Sequence, residues 1–352
     1  MKKNYATGIA TILIIICTSF SAFAQPARQV ILFNDNWKFY KGDIANADKE
    51  VFNDNTWRQL TLPHDWSIEG PFDEQWASAT AYLPAGIGWY RKTLSVSPAM
   101  RSKNIYLYFD GVYKNSEVWI NGHYLGKRPN GFIPFQYELT KYLHATGKNV
   151  IAVKVDHSEF ADSRWYTGSG IYRNVYMIAA NQLSIDPWSV AFSTPEISQK
   201  KAKAKVVVAF ANHSSSNAAV LVKAILTDNK GKQISQGQYT VGAGTNSSEV
   251  SIDLPVANPS LWSTDNPTLY TLKVLLYSNG KIKDDVTQHV GFRTAVFDKD
   301  KGFFLNGKNM KIKGVCIHDD AGVLGVAVPK EVWERRLSIF KRRWLQFGSP
   351  EP

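Results

Sequence analysis

Apolar and polar residues alternate in short segments from residue 30 to about residue 180, and turn-forming pairs separate the segments. Residues 105–109 alternate aromatic and aliphatic side chains, then break at Asp-Gly. Residues 117–120 end at the Asn-Gly pair 121–122, which is typical of a type I′ hairpin. Residues 149–155 are rich in β-branched side chains, as a buried strand requires. Because no segment here keeps a 3.6-residue period, we predict a β-sandwich of jelly-roll type for residues 25–182.

A second all-β unit is predicted for residues 183–295. Strand-like runs occupy residues 205–210, 219–226 and 270–277, with turn signals at 229–231 and 279–280. About seven strands in roughly 110 residues are typical of an immunoglobulin-like sandwich. The cysteine pair of true immunoglobulin domains is absent, so only the architecture is predicted.

The sequence pattern of residues 296–352 differs from that of the two predicted sandwiches. A hairpin signal at Asn306-Gly307 precedes residues 311–320, which we interpret as the first strand and loop of a (β/α)₈ barrel. Pro329 is a plausible first residue of a helix, and the apolar positions that follow it lie near helical spacing. Since a complete barrel needs roughly 250 residues, we expect only the truncated start of one, with an aberrant tail.

The first 24 residues have the pattern of a signal peptide. Lys2 and Lys3 precede an apolar run too short to span a bilayer comfortably, and Ala-Phe-Ala at 22–24 predicts cleavage before Gln25. The alternatives are an uncleaved anchor or a lipoprotein attached through Cys17. We therefore expect an exported protein, periplasmic or secreted, without stable membrane insertion. Only Cys316 remains after cleavage, so packed cores rather than an intrachain disulfide must provide stability.

Net charge and composition limit the classes of ligand and partner that we expect for this chain. The formal charge of +11 invites a nucleic-acid interpretation, but the lysines are dispersed and no helix carries a basic stripe beside stacking aromatics. No Cys/His cluster has metal-ligand spacing, and we expect neither a metal nor a cofactor. The aromatic content of 13% fits an exported β protein that handles sugars, whose pyranose faces stack on rings.

Seven motifs in order carry a family resemblance. They are Leu-Pro-His-Asp-Trp at 62–66, Gly-Ile-Gly-Trp-Tyr-Arg at 86–91, Phe-Asp-Gly-Val at 109–112, Val-Trp-Ile-Asn-Gly at 118–122, Arg-Trp-Tyr-Thr-Gly-Ser-Gly-Ile-Tyr-Arg at 164–173, Pro-Ser-Leu-Trp at 259–262 and Gly-Phe-Arg at 291–293. Over residues 30–340 the chain resembles glycoside hydrolase family 2, most closely its exported β-galactosidase-like members. The resemblance implies a sugar-binding jelly roll and an immunoglobulin-like domain before a catalytic barrel, and a β-linked oligosaccharide or glycan as partner. Homo-oligomers are possible in the full-length family.

The resemblance also implies a retaining glycosidase, which needs an acid/base and a nucleophile about 5 Å apart. In the family both are glutamates on late barrel strands, the acid/base within an Asn-Glu pair. This chain contains no Asn-Glu pair, and its glutamates after residue 295 are Glu331, Glu334 and Glu351. We therefore name no catalytic residue and expect no turnover. The alternatives are a free-standing carbohydrate-binding protein and a structural or adhesion protein built of sandwiches.

Five positions could still contact sugar. By resemblance, Asp65 reaches the site from the jelly roll, and Arg164 and Trp165 lie on a loop that approaches the galactose subsite. His318 and Asp320 follow the predicted barrel strand at its carboxyl end, where barrel enzymes place their chemistry. Asp65 could instead satisfy backbone N–H groups of a turn, Trp165 could pack within the sandwich, and His318 could be structural.

The tail from residue 341 diverges abruptly from the family pattern. With one nucleotide restored, a neighbouring reading frame could encode the expected Lys-Lys-Met-Gly-Cys-Asn-Ser-Val. We hypothesise a frameshift, in the gene or in its reading, which nucleotide sequencing across the junction would test.

Overall fold

The computed structural model describes residues 27–159, 165–214, 217–244 and 247–347. This part of the chain is mainly β, and its ladders between named strands are antiparallel. The predicted signal peptide lies outside the described residues, and so does the predicted site residue Arg164. No helix of the described residues is long and apolar enough to cross a membrane.

The first sandwich is built from a six-stranded and a four-stranded sheet. The strand orders are β3-β2-β4-β9-β6-β7 and β1-β10-β5-β8. Alternate residues of both sheets point between them, which explains the alternating sequence pattern, and they bury Trp37, Tyr90, Phe109 and Ile151 completely. The strands are β1 Gln29–Leu32, β2 Trp37–Lys41, β3 Arg58–Leu60, β4 Gly86–Leu94, β5 Asn104–Phe109, β6 Ser116–Ile120, β7 His123–Arg128, β8 Phe135–Glu138, β9 Asn149–His157 and β10 Val175–Ala180.

The second sandwich contains seven strands in the described residues, as the sequence predicted. A three-stranded sheet of order β11-β12-β15 faces a four-stranded sheet of order β14-β13-β16-β17. Phe210, Leu226, Leu272 and Phe292 are fully buried between them. The strands are β11 Leu183–Ile197, β12 Lys201–Asn212, β13 Ala218–Thr227, β14 Gln233–Ala243, β15 Ser247–Ala257, β16 Tyr270–Ser278 and β17 Lys281–Val290.

Asn-Gly pairs make the tight turns that the sequence predicted. Asn121 and Gly122 join β6 to β7 with φ of 51° and 77°, and Asn279 and Gly280 join β16 to β17 with φ of 51° and 70°. Positive φ at both central residues is the signature of the type I′ turn, whose twist matches that of the flanking strands. The pair at 306–307 makes a third turn of this kind within a small sheet of β18 Ala295–Asp298, β19 Gly302–Leu305 and β20 Lys308–Asn309.

The region after this small sheet confirms one prediction and corrects another. The predicted helix is present as α1, Lys330–Phe347. The strand predicted at residues 311–317 is wrong, because these residues pair with no strand in the part of the chain that the structure describes. A strand is stable only where neighbours satisfy its backbone N–H and C=O groups. Without such neighbours the segment is irregular, and Ile312 and Val315 are 65% and 60% exposed.

A buried ion pair joins the chain's first described residues to the second sandwich. Arg28 donates from Nε and Nη2 to Asp284 at 3.1 and 2.6 Å, and Asp284 also accepts from the backbone N–H of Ile185 at 2.8 Å. The Asp284 side chain is fully buried and that of Arg28 is 15% exposed. This carboxylate therefore holds the N-terminal segment and β11 against β17.

Replacing Asp284 should destabilise the protein strongly. Asp284→Ala leaves the Ile185 amide without its acceptor and leaves the Arg28 guanidinium with its bond to the Ile185 carbonyl but without a charge partner. Breaking a buried pair in this way costs about 3–5 kcal/mol. Urea unfolding followed by circular dichroism measures the change in the free energy of unfolding.

The neighbouring Asp285 offers a matched control. It lies on the same strand, but its pair with Lys273 spans 3.4 Å and both side chains are more than 30% exposed. Exposed pairs contribute about 0–1 kcal/mol, so Asp285→Ala should change stability little. Equal losses for the two variants would contradict a special role of the buried pair.

Residues 310–318 should be the first site of proteolysis between the sandwiches and α1. Lys311 and Lys313 are exposed and stand outside any ladder, and such backbone opens at little cost in free energy. Limited trypsin digestion followed by mass spectrometry should show loss of the chain beyond residues 311–313 before any cut inside the two sandwiches. Cleavage within β11 to β17 while this segment stays intact would refute the expectation.

Candidate functional site

The carboxylate of Asp65 is the centre of a buried hydrogen-bond cluster. Its Oδ1 accepts from the backbone N–H of Ser67 at 3.1 Å and of Ser169 at 2.9 Å. Its Oδ2 accepts from the Tyr166 hydroxyl at 2.6 Å and from the backbone N–H of Val326 at 3.1 Å. These five residues, which we call the Asp65 cluster, come from three separate segments. One side chain, only 2% exposed, thus fixes two loops of the first sandwich to the segment before α1.

Two glycines make this close approach possible. Gly168 and Gly325 have φ of +64° and +57°, in the region that other residues rarely adopt. A Cβ atom on either glycine would collide with Oδ2 of Asp65, and one on Gly168 would also collide with Val326. The turns at both glycines therefore depend on the absence of a side chain, and they let two backbone segments reach one carboxylate.

A chain of side-chain hydrogen bonds continues from the Asp65 cluster to His157. The hydroxyl of Ser67 donates to that of Ser169 at 2.7 Å, and Ser169 Oγ lies 2.7 Å from Nδ1 of His157. All three residues are fully buried. Burial, followed by the charge of Asp65, raises the pKa of Tyr166 well above its ordinary value, so this hydroxyl remains a donor at any physiological pH.

An exposed aromatic pair lies beside the cluster. The rings of Trp165 and His318 have centroids 5.6 Å apart, with 39° between their planes. Trp165 is 40% exposed and His318 is also exposed. The backbone carbonyl of Asp320 accepts from Arg336 Nη1 at 2.9 Å, which ties the loop after His318 to α1. The side chain of Asp320, which is partly buried, lines the same cavity as His318. Aromatic faces near a partly exposed carboxylate are the groups that recognise a pyranose ring and its hydroxyls.

Two cavities flank His318. One, of about 610 Å³, lies between the first sandwich and the start of α1, where Arg173 faces Asp319 at 3.5 Å. The other, of about 500 Å³, lies between residues 316–320 and α1. Both fall within the range of small-molecule sites. The structure thus places His318 on the wall of two spaces that are large enough for a sugar.

The structure brings four of the five predicted site residues into one region. Asp65, Trp165, His318 and Asp320 lie around the loop that also carries Tyr166, whereas Arg164 is outside the described residues. Direct sugar contact by Asp65 would require one of its four donors to leave, so that contact stays a prediction. Among the described residues, no group of three metal-ligating side chains could hold an ion.

Sequence reasoning missed the partners of Asp65. Tyr166, Ser169 and Val326 supply three of the four donors. The Gly-Ser-Gly at 168–170 was a usable signal, because paired glycines after an aromatic run mark backbone that passes close to another group. Nothing in the sequence pointed to Val326, whose backbone N–H rather than its side chain makes the contact.

Comparison with known proteins identifies the class. Residues 37–181 match the family model for the glycosyl hydrolases family 2 sugar binding domain, and residues 189–293 match the model for glycosyl hydrolases family 2. The chain belongs to glycoside hydrolase family 2.

Relatives of this chain are considerably longer. It is 42% identical over 328 residues to the β-galactosidase BoGH2A of Bacteroides ovatus, which covers 92% of this chain but 38% of that protein. It is 29% identical over 352 residues to a β-glucuronidase of Bacteroides fragilis, covering 95% of this chain and 47% of that protein. The crystal structure of a β-glycosidase from Bacteroides vulgatus superposes with a TM-score of 0.83 at 41% identity, covering 89% of this chain and 40% of that one. The chain therefore spans less than half the length of these relatives.

Removal of the Asp65 carboxylate should lower the free energy of unfolding considerably, even though no ion pair is broken. Asp65→Ala leaves the buried N–H groups of Ser67, Ser169 and Val326 without an acceptor, and each unsatisfied group costs about 1–3 kcal/mol. We expect a loss of at least about 3 kcal/mol in the free energy of unfolding, measured by urea titration.

Asp156→Ala is the matched control for Asp65→Ala. Its Oδ1 also accepts from a backbone N–H and a hydroxyl, both of Ser158, but these bonds lie at the exposed end of β9. Water replaces the carboxylate there, so Asp156→Ala should cost about 1 kcal/mol or less. The role given to the Asp65 cluster fails if both variants lose the same small amount.

Proposed function

We propose that this chain is the sugar-recognising amino-terminal part of a retaining β-glycosidase that acts on β-galactosides or related β-linked glycans. The β-galactosidase relative from Bacteroides ovatus and the β-glucuronidase from Bacteroides fragilis support this substrate class. The observation that carries the proposal is the bond from Val326 to Asp65, together with the Trp165–His318 pair. Through them the first sandwich would hold residues 316–326 beside the active site, since barrel enzymes carry their active sites on the loops after their strands.

In this proposal the residues divide into two roles. Trp165, His318 and Asp320 contact the sugar, and Arg164, which precedes Trp165 in the sequence, is proposed to contact it as well. Asp65 acts as a positioning residue, because its carboxylate fixes Tyr166, the neighbour of Trp165, and Val326. The exposed Trp165 ring offers a face for the apolar side of a pyranose, and the imidazole of His318 can donate to or accept from a hydroxyl.

The proposed organisation keeps the divisions drawn from the sequence. Residues 1–24 would direct export to the periplasm or the medium. Residues 25–182 and 183–295 would be the sugar-binding and immunoglobulin-like domains, and 296–352 would begin the catalytic domain. The partner would be a β-linked glycan, with homo-oligomers possible in longer relatives.

The 352 residues themselves should not hydrolyse glycosides. Retention requires an acid/base and a nucleophile about 5 Å apart, and the described residues after 295 include only Glu331 and Glu334 as glutamates, both on α1. Purified protein should release no nitrophenol from nitrophenyl β-galactoside above a mock preparation from the same host. A longer family 2 β-galactosidase in the same assay serves as positive control.

The hydrolysis assay, together with a measurement of lactose binding, distinguishes the two candidate functions of the chain. Turnover that survives His318→Ala and Asp320→Ala would refute both the inactivity and the site. No turnover, with lactose binding that is lost in His318→Ala, would support the proposed recognition role. A free-standing carbohydrate-binding protein is the second candidate, favoured by the exposure of Trp165, and it predicts lactose binding that is unaffected by deletion of residues 310–352.

A further inference from the structure

A second aromatic site lies on the first sandwich and shares no residue with the Asp65 cluster. It is a cavity of about 400 Å³, which we call the aromatic groove. Its walls combine aromatic rings with three charged side chains. They are formed by Phe39, Tyr40, Lys41, Thr56, Trp57, Arg58, Trp66, Glu69 and Gly70.

The aromatic wall is arranged as a platform. The rings of Tyr40 and Trp57 stack with centroids 5.6 Å apart and 27° between their planes. Tyr40 is 41% exposed, whereas Trp57 is 7% exposed and supports it from below. An exposed ring held rigid by a second ring loses little side-chain entropy when a flat apolar surface packs on it. The C–H face of a pyranose is such a surface.

Polar groups with spare hydrogen-bonding capacity also line the groove. Arg58 Nη2 donates to both carboxylate oxygens of Glu69 at 2.8 and 2.7 Å, so the two side chains are held in a fixed geometry. Each still has free positions, since a carboxylate accepts about four hydrogen bonds and a guanidinium donates five. Lys41 adds a second positive charge, which leaves the groove with one excess positive charge.

The ring of Trp66 also lines the groove. It is completely buried and stacks on Phe39 with ring centroids 5.6 Å apart. Its indole Nε1 has no hydrogen-bond partner among the described residues, but this atom is buried as well, so Trp66 contributes packing to the groove and not a donor to a ligand.

We propose that the aromatic groove is a second glycan-binding site, which takes one pyranose residue of a β-linked chain away from the Asp65 cluster. The sugar ring stacks on Tyr40, its hydroxyls bond to Glu69 and Arg58, and the excess charge of Lys41 favours a sugar that carries a carboxylate. Such a site would hold a glycan on the protein independently of hydrolysis.

Calorimetric titration of the full chain with methyl β-D-glucuronide and methyl β-D-glucoside tests the site. We expect binding at millimolar concentration, tighter for the glucuronide, and at least tenfold weaker binding of both sugars in Tyr40→Ala. Lys41→Met should remove the preference for the glucuronide. Tyr124→Ala is the matched control, because Tyr124 is 51% exposed and packs on Trp119 at 5.5 Å on another strand of the same sheet. It should bind as the wild type does.

A second measurement uses the indole N–H resonance of Trp66, whose ring lines the groove, to report binding there. In ¹⁵N-labelled protein, the indole N–H resonance that disappears in Trp66→Phe should shift on addition of the glucuronide. Absence of binding, unchanged binding in Tyr40→Ala, or equal loss in Tyr124→Ala would overturn the proposal. If His318→Ala abolishes binding and Tyr40→Ala does not, the sugar occupies the site of Trp165 and His318, and the aromatic groove is excluded while the proposed function stands.

Discussion

The Asp65 carboxylate is the constraint on which the arrangement of the candidate site depends. Its four acceptor positions are taken by donors from residues 65–67, from the loop 166–169 and from Val326. Since a buried carboxylate is stable only when its hydrogen bonds are satisfied, these segments cannot move apart independently. The approach of His318 to Trp165 follows from this constraint, because both residues stand close in sequence to a donor of the cluster.

Local sequence rules predicted much of the fold. The Asn-Gly turn at 121–122, the β-branched run at 149–155 that became β9 and the helical spacing after Pro329 each reflect backbone geometry that neighbouring residues determine. The strand predicted at residues 311–317 failed for the opposite reason. Its apolar pattern is correct for a strand, but pairing is a property of two segments, and no described strand pairs with it.

The site was predictable only in part. The sequence pointed to Asp65, Trp165, His318 and Asp320 through the motifs that carry them, and the structure brings these residues into one region. It could not indicate the Val326 backbone N–H, because every non-proline residue has the same group and only the fold decides where it lies. The pairing of Arg28 with Asp284, 256 residues apart, is hidden from sequence reasoning for the same reason.

Two adjacent residues, Asp65 and Trp66, show how differently the fold treats polar groups. Both are almost completely buried, yet Asp65 has every acceptor position filled, whereas Trp66 Nε1 has no partner among the described residues. Burial of the apolar indole ring contributes most of the favourable free energy at Trp66, so the fold tolerates one unpaired N–H there. A carboxylate without donors would not remain buried in its charged form. A fully paired polar group resists rearrangement and serves to position its neighbours.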